Sequence, residues 1–141
     1  MFGAELIPAV AGGDIRASRF VKVSTAADAT LLESDANEMT VGISHEAPRD
    51  PPLDGADSTE IAEATQQFDY YGEGRVCLLQ IGSGGVTRGA QIKSDADGKG
   101  VLALTTGAVM QWVGAIALES ASEDEFARVL IKSFPIYPAL A

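Results

Sequence analysis

The stretch QWVGAIAL, residues 111–118, is apolar at every position after the first. A short segment that is apolar on both faces predicts a strand buried on both sides of a sheet. The stretch EFARVLIK, residues 125–132, instead alternates, so every second side chain faces the same way. Both segments predict β structure, and the core residues that we expect in them are Trp112, Val113, Ile116, Val129 and Ile131.

Shorter segments of the same kind occur at residues 19–23, 39–43 and 75–81. Short strands separated by glycine turns are typical of a barrel or a sandwich. Only residues 58–67 favour a helix, because Ser58 can cap a segment rich in Glu and Ala. We therefore predict an all-β fold, a small β-barrel or sandwich.

A repeat with a constant offset of 72 residues links the two halves of the chain. The matched positions are Gly12-Gly13 with Gly84-Gly85, Arg16 with Arg88, Phe20 with Ile92, Leu32 with Leu104, and Val41-Gly42 with Val113-Gly114. An ungapped series of matches favours a duplicated unit over scattered coincidence. We predict two related β units at residues 12–47 and 84–119. The alternative is that all β-meanders share glycine turns and apolar strands.

The composition of the chain separates two apolar ends from a central β domain. We predict an N-terminal arm at residues 1–11, a β domain at 12–132 and an extended C-terminal tail at 133–141. The tail carries two prolines spaced by two apolar residues, which favours extended backbone. Residues 45–57 hold three prolines and four acids. That stretch opposes both helix and central strand, so we predict an exposed loop there.

The apolar ends must be covered, either by their own domain or by a neighbouring molecule. The tyrosine pair at 70–71 leaves a similar choice between core and contact surface. The residues that we predict to contact a partner or a sister subunit are Phe2, Leu6, Ile7, Tyr70, Tyr71, Phe134, Pro135, Ile136 and Tyr137.

The charge of the chain excludes some partners. Its 141 residues include 10 basic and 20 acidic side chains, which gives a formal net charge of −10. Such a surface repels nucleic-acid phosphates and anionic lipids, so we expect neither nucleic acid nor a membrane as partner. Cys77 is the only cysteine, so no intramolecular disulfide is possible. With no recognisable signal peptide, we expect a soluble product made in a cytoplasm.

No residue set predicts catalysis or a metal site. Residues 94–99, SDADGK, begin like a calcium loop, but Lys99 stands where a further oxygen ligand belongs. Residues 82–85, GSGG, lead into strand-like sequence instead of the helix that a phosphate loop requires. His45 is the only histidine, and no nucleophile–base pair accompanies it. We expect a protein that is not an enzyme and binds no cofactor.

Residues 84–131 resemble the head decoration, or capsid cement, proteins of tailed bacteriophages. The motifs that carry the resemblance are VTRG at 86–89, SDADGK at 94–99 and VGAIAL at 113–118, with the acidic turn and strand that follow. The proline-rich stretch 48–52 lies outside the pattern. The resemblance implies a β-barrel-like virion protein, made in the host cytoplasm, that binds the outside of an expanded capsid.

The resemblance also implies a homotrimer that clamps adjacent capsomers, with the major capsid protein as its partner. The alternative function is a receptor- or glycan-binding module of a phage tail or fibre, which needs an exposed aromatic platform. The candidates for that platform are Tyr70, Tyr71 and Trp112. A small hydrolase is a weaker third alternative.

Overall fold

The computed structural model describes residues 6–45, 60–103 and 110–137, which form twelve strands and no helix. The all-β prediction is confirmed. Within those ranges no helix has the length and apolarity to span a bilayer. The strands are β1 (Leu6–Ala11), β2 (Ile15–Arg16), β3 (Phe20–Val23), β4 (Thr30–Glu33), β5 (Gly42–Ser44), β6 (Glu60–Ala62), β7 (Gln67–Tyr71), β8 (Val76–Gln80), β9 (Gln91–Ser94), β10 (Gly100–Leu102), β11 (Gln111–Ala117) and β12 (Phe126–Ile136).

The first half, residues 6–71, contains a closed barrel of five strands in the order β1-β4-β3-β5-β7. Strand β1 closes it, because it pairs antiparallel with β7 on one side and parallel with β4 on the other. The short strands β2 and β6 form a separate antiparallel pair. Among the five described barrel strands, closure leaves no free edge.

The second half, residues 76–136, has a five-stranded sheet in the order β10-β9-β11-β12-β8. A single parallel bridge from Ile81, just after β8, to Gly100 in β10 joins the two outer strands. The cyclic order and the strand directions therefore match those of the first half, with β8 in the place of β1. A bridge between Val86 and Ala121 takes the place of the β2–β6 pair.

The turns of the two halves match as well. Thr65 and Asp124 both have positive φ, of 72° and 67°. In the first turn the Glu63 N–H donates to Gln66 Oε1 at 2.9 Å, and in the second the N–H of residue 122 donates to Oε1 of residue 125 at 2.8 Å. The same strand order and the same turn support the predicted duplication.

The related units are longer than predicted, because the offset between them changes. Gly42 and Gly114 differ by 72 positions, whereas the matched turns at 63–66 and 122–125 differ by 59. The first unit thus carries 13 more residues between β5 and its turn, in the proline-rich stretch. A comparison of the two halves at the single offset of 72 residues therefore fails beyond β5. Of the predicted loop 45–57, only His45 lies within the described residues.

The structure corrects several further expectations. Leu6–Ala11 is a barrel strand instead of part of an arm, because its backbone pairs with β7 along its length. The start of the predicted tail belongs to β12, where residues 134–136 pair with β11. Residues 60–62 form β6 in place of a helix. Residues 1–5 and 138–141 lie outside the described residues.

The halves are joined by a shared core. One cluster of buried side chains lies wholly within the first half. The other belongs to the second half but includes Phe20, Ile43 and Tyr71 from the first barrel. The predicted core residues that are buried are Val113, Val129 and Ile131. The expectation that Trp112 and Ile116 are core is wrong, since both side chains stay partly exposed at the surface of β11.

Arg19 ties the two halves together from a buried position. It is 4% exposed, and its Nε and Nη2 both donate to Gln80 Oε1, at 3.2 and 3.0 Å. Its Nη1 donates to the carbonyl of Asp97 at 2.9 Å. Desolvation by burial, assisted by the nearby charge of Arg16, lowers the pKa of Arg19. The guanidinium still remains charged, because arginine does not lose its proton in proteins.

Replacing Arg19 by Met is expected to lower the free energy of unfolding by about 1.5–3 kcal/mol, because partly buried acceptors on the second half lose a charged donor. Urea denaturation followed by circular dichroism measures this loss. Arg88→Met is the matched control, since Arg88 is exposed and its loss should change stability little. Equal unfolding midpoints for the two variants would show that Arg19 does not join the halves.

Candidate interaction surface

The residues predicted as contacts occupy two separate places. Leu6 and Ile7 on β1 are the register partners of Tyr71 and Tyr70 on β7, so these four lie together on the first barrel. Tyr71 is 7% exposed and belongs to the shared core, with its ring 5.8 Å from that of His45. Of the two alternatives for the tyrosine pair, Tyr71 is therefore a core residue and not a surface contact.

The other three residues of this group are more accessible. Leu6 is partly buried against the shared core, and Ile7 is 40% exposed. Tyr70 is partly buried against the core of the first half, with its ring 6.4 Å from that of Phe68. Phe2 lies outside the described residues. Ile7 is thus the most exposed of the predicted contacts on this barrel.

The C-terminal group lies along the end of β12. Phe134, Pro135 and Ile136 are the register partners of Val113, Trp112 and Gln111. Phe134 and Ile136 are partly buried, whereas Pro135 is exposed and Tyr137 is 75% exposed. This end of the chain therefore presents apolar surface while its backbone belongs to the sheet. Whether these residues contact a partner stays a prediction.

A shallow groove that the sequence does not predict lies beside the end of β12. It has a volume of about 450 Å³, and we call it the Trp112 groove. Val23 at the end of β3 is 55% exposed, and Met39 is 52% exposed. The groove spans both halves, since Trp112 comes from β11. Its lining residues are Lys22, Val23, Thr25, Asn37, Glu38, Met39 and Trp112.

Asn37 builds the groove by joining the two halves. Its φ is 56°, a left-handed conformation that asparagine adopts more readily than most residues. Its Nδ2 donates to the carbonyl of Met110 at 2.9 Å, and its Oδ1 accepts the Trp112 N–H at 2.9 Å. Its backbone N–H donates to the carbonyl of Ser94 at 3.0 Å. These bonds hold Trp112 of the second half beside Met39 of the first.

One end of the groove is acidic. Lys22 Nζ donates to Glu38 Oε1 at 2.7 Å and to Asp35 Oδ2 at 2.9 Å. The hydrogen bond to Glu38, followed by that to Asp35, raises the pKa of Lys22. One lysine between two carboxylates leaves one negative charge in excess. The carboxyl side chain of Asp35 is 66% exposed, so this charge faces solvent at the rim.

The sequence signal for this groove was weak. Met39 and Val23 are single apolar residues next to polar turns, and such a pattern does not distinguish a buried side chain from an exposed one. Trp112 stands in a segment that is apolar on both faces, which favoured a buried position. The only available hint was the polar run DANE at residues 35–38, immediately before Met39.

A second concavity of about 320 Å³ lies in the second half. It is bordered by the turn at residues 84–87, by Leu102 and by residues 121–123. Among the described residues that line it, Glu123 is the only carboxylate, and none is a histidine or cysteine. Across the described part of the chain, no three His, Cys, Asp or Glu side chains meet in a way that would hold a metal ion.

Comparison with known proteins finds similarity among solved structures. No protein family matches the sequence, and no curated protein does. Among solved structures, the chain is similar to the N base of head fiber gp8.5 in bacteriophage phi29, with a TM-score of 0.53 and 20% sequence identity. The two chains share one fold. The likeness covers 91% of this chain and 93% of the head-fiber base, so it extends across both halves instead of being confined to one barrel.

Proposed function

We propose that this chain is a structural protein of a bacteriophage virion that binds the outer surface of the assembled head. The observation that carries the proposal is the fold shared with a head-fiber base, which extends over nearly the full length of both chains. A fold can host many functions, so the exposed surface must provide the rest of the support. The Trp112 groove and the apolar end of β12 provide contact surface suited to a protein partner.

The finer proposal is that the protein clamps adjacent capsomers as a homotrimer, with the major capsid protein as its partner. A protein that binds only the assembled shell stabilises that shell by mass action. Three linked copies add their contacts through a high effective concentration, so each contact can be weak. The acidic surface keeps free trimers apart from one another until they reach the shell.

Sedimentation with phage heads tests the proposal. The purified protein is mixed with expanded heads, and separately with unexpanded procapsids, of the phage whose genome encodes it. We expect it to sediment with the expanded heads only and to raise their thermal disruption temperature. Native mass spectrometry of the free protein should give the mass of three chains. A protein that leaves the heads bare contradicts head binding, and a monomer mass contradicts the trimer.

A glycan-binding module of a tail or fibre is the second candidate, favoured by the partly exposed ring of Trp112 in a groove. Aromatic rings can stack on sugars, but sugar recognition also needs polar side chains with free hydrogen-bonding capacity. Asn37 uses both groups of its side-chain amide within the protein, which weakens this candidate. Because Trp112 is the only tryptophan, its fluorescence reports directly on any sugar that binds there.

A further inference from the structure

We propose that the Trp112 groove is the docking site for an apolar segment of the capsid protein that carries Lys or Arg beside its apolar anchor. The inference rests on the proposed function and deepens it by naming the chemistry of the partner. It follows from three properties of the groove: its exposed apolar side chains, the internal bonding of Asn37 and Lys22, and the charge of its rim.

The apolar side chains of the groove do not belong to the hydrophobic core clusters of the described residues. Val23 and Met39 are each about half exposed, and neither belongs to either core cluster. Trp112 adds a large partly exposed ring, and its register partner Pro135 is exposed beside it. Adjoining exposed apolar residues of this kind mark sites of association, and a tryptophan is a frequent anchor of binding energy.

The side chains of Asn37 and Lys22 in the groove are engaged within the protein. The amide of Asn37 bonds to residues 110 and 112, and Lys22 bonds to two carboxylates. A ligand that needs many hydrogen bonds, such as a sugar, would have to compete with these bonds for the same side chains. An apolar side chain would leave them intact and lose only its contact with water.

The charge of the rim selects among apolar partners. Lys22 neutralises only one of the two carboxylates that it contacts, so the negative charge of Asp35 and Glu38 is in excess. A partner with a basic side chain at this edge is attracted, whereas an acidic one is repelled, and the net charge of −10 strengthens both effects at long range. Charge complementarity therefore points to a basic flank on the docking segment.

Aspartate substitutions inside and outside the groove test the site on the intact protein. Val23→Asp places a charge in the groove, whereas Val76→Asp places the same charge on β8, outside the groove. The two valines are similarly exposed, at 55% for Val23 and 48% for Val76. We expect binding of Val23→Asp and Met39→Asp to expanded heads to be about tenfold weaker than that of the wild type. Val76→Asp should bind like the wild type. Thermal melts confirm that each variant is folded.

The rim is tested by removing one charge. Asp35→Asn keeps the shape of the side chain and leaves Lys22 its shorter bond to Glu38. We expect binding to heads to be about two- to threefold weaker, with a smaller dependence on salt, because the lost attraction is a screened surface interaction. Binding that strengthens in Asp35→Asn overturns the assignment of a basic flank.

The outcomes separate this inference from the proposed function. If the wild type binds heads and folded Met39→Asp binds equally well, the groove assignment is overturned while the proposed function stands. If the wild type does not bind heads, both are overturned. If instead N-acetylglucosamine, galactose or glucose shifts the Trp112 emission, the groove is a sugar site and the protein-docking assignment is overturned.

Discussion

Gly42→Ala is expected to destabilise the protein strongly, because the added methyl group would meet the backbone of Tyr71 as well as the side chain of Tyr70. A Cβ at Gly42 would overlap the carbonyl oxygen of Tyr71 on the neighbouring strand β7. Since this obstacle is part of a closed barrel, it cannot move aside as a flexible side chain would. We expect a loss at or above the upper end of the range of roughly 1–3 kcal/mol that overpacking usually costs.

Urea denaturation of Gly42→Ala and of the control Gly13→Ala measures this effect. A Cβ at Gly13 would meet only the end of the Leu32 side chain, at an ordinary contact distance of 3.6 Å. The control should therefore unfold within about 0.5 kcal/mol of the wild type. If Gly42→Ala were as stable as Gly13→Ala, β5 and β7 would not approach each other as closely as the barrel requires.

Phe20→Ala is expected to lower the free energy of unfolding by about 3–5 kcal/mol. Phe20 belongs to the first barrel but is fully buried in the core cluster of the second half. Its loss should therefore weaken both halves together. Circular dichroism and Trp112 fluorescence should show the same lowered midpoint, although Trp112 lies in the other half. Phe126, which is 47% exposed, provides the matched control Phe126→Ala with a smaller loss.

The same contact can be tested from the opposite side. A Cβ at Gly114 would lie 2.6 Å from Cε1 of Phe20 and 2.6 Å from Oγ1 of Thr40. Gly114→Ala should therefore cost less stability in the Phe20→Ala background than in the wild type, because one of its two obstacles is gone. Additive losses, or separate transitions of the two halves in Phe20→Ala, would show that the halves do not share this core.

The fold class could be predicted, and the repeated motifs could be recognised, because both rest on local chemistry. Val-Gly recurs at 41–42 and 113–114, and the structure shows why: neither glycine has room for a Cβ. The same pattern could not give the ends of the units. Leu6–Ala11 resembles a loose apolar arm in sequence, and its place in the barrel depends on pairing with β7, about 60 residues away.

The contact surface was harder to predict than the fold. The apolar end of the chain was found from composition, yet its membership of β12 depends on pairing with β11. The Trp112 groove could not be found, because Val23, Met39 and Trp112 meet only when the halves dock. Hydrophobic periodicity and β-strand propensity describe one strand at a time, so they give no information on a surface that two units form together.

Electron cryomicroscopy of virions, with and without the gene for this chain, tests head binding most directly. We expect density on the outer surface of the head that fits both halves of the chain and is missing when the gene is deleted. The Trp112 groove should face the capsid protein in that density. Density for this chain on the tail, or heads that are identical with and without the gene, would contradict head binding.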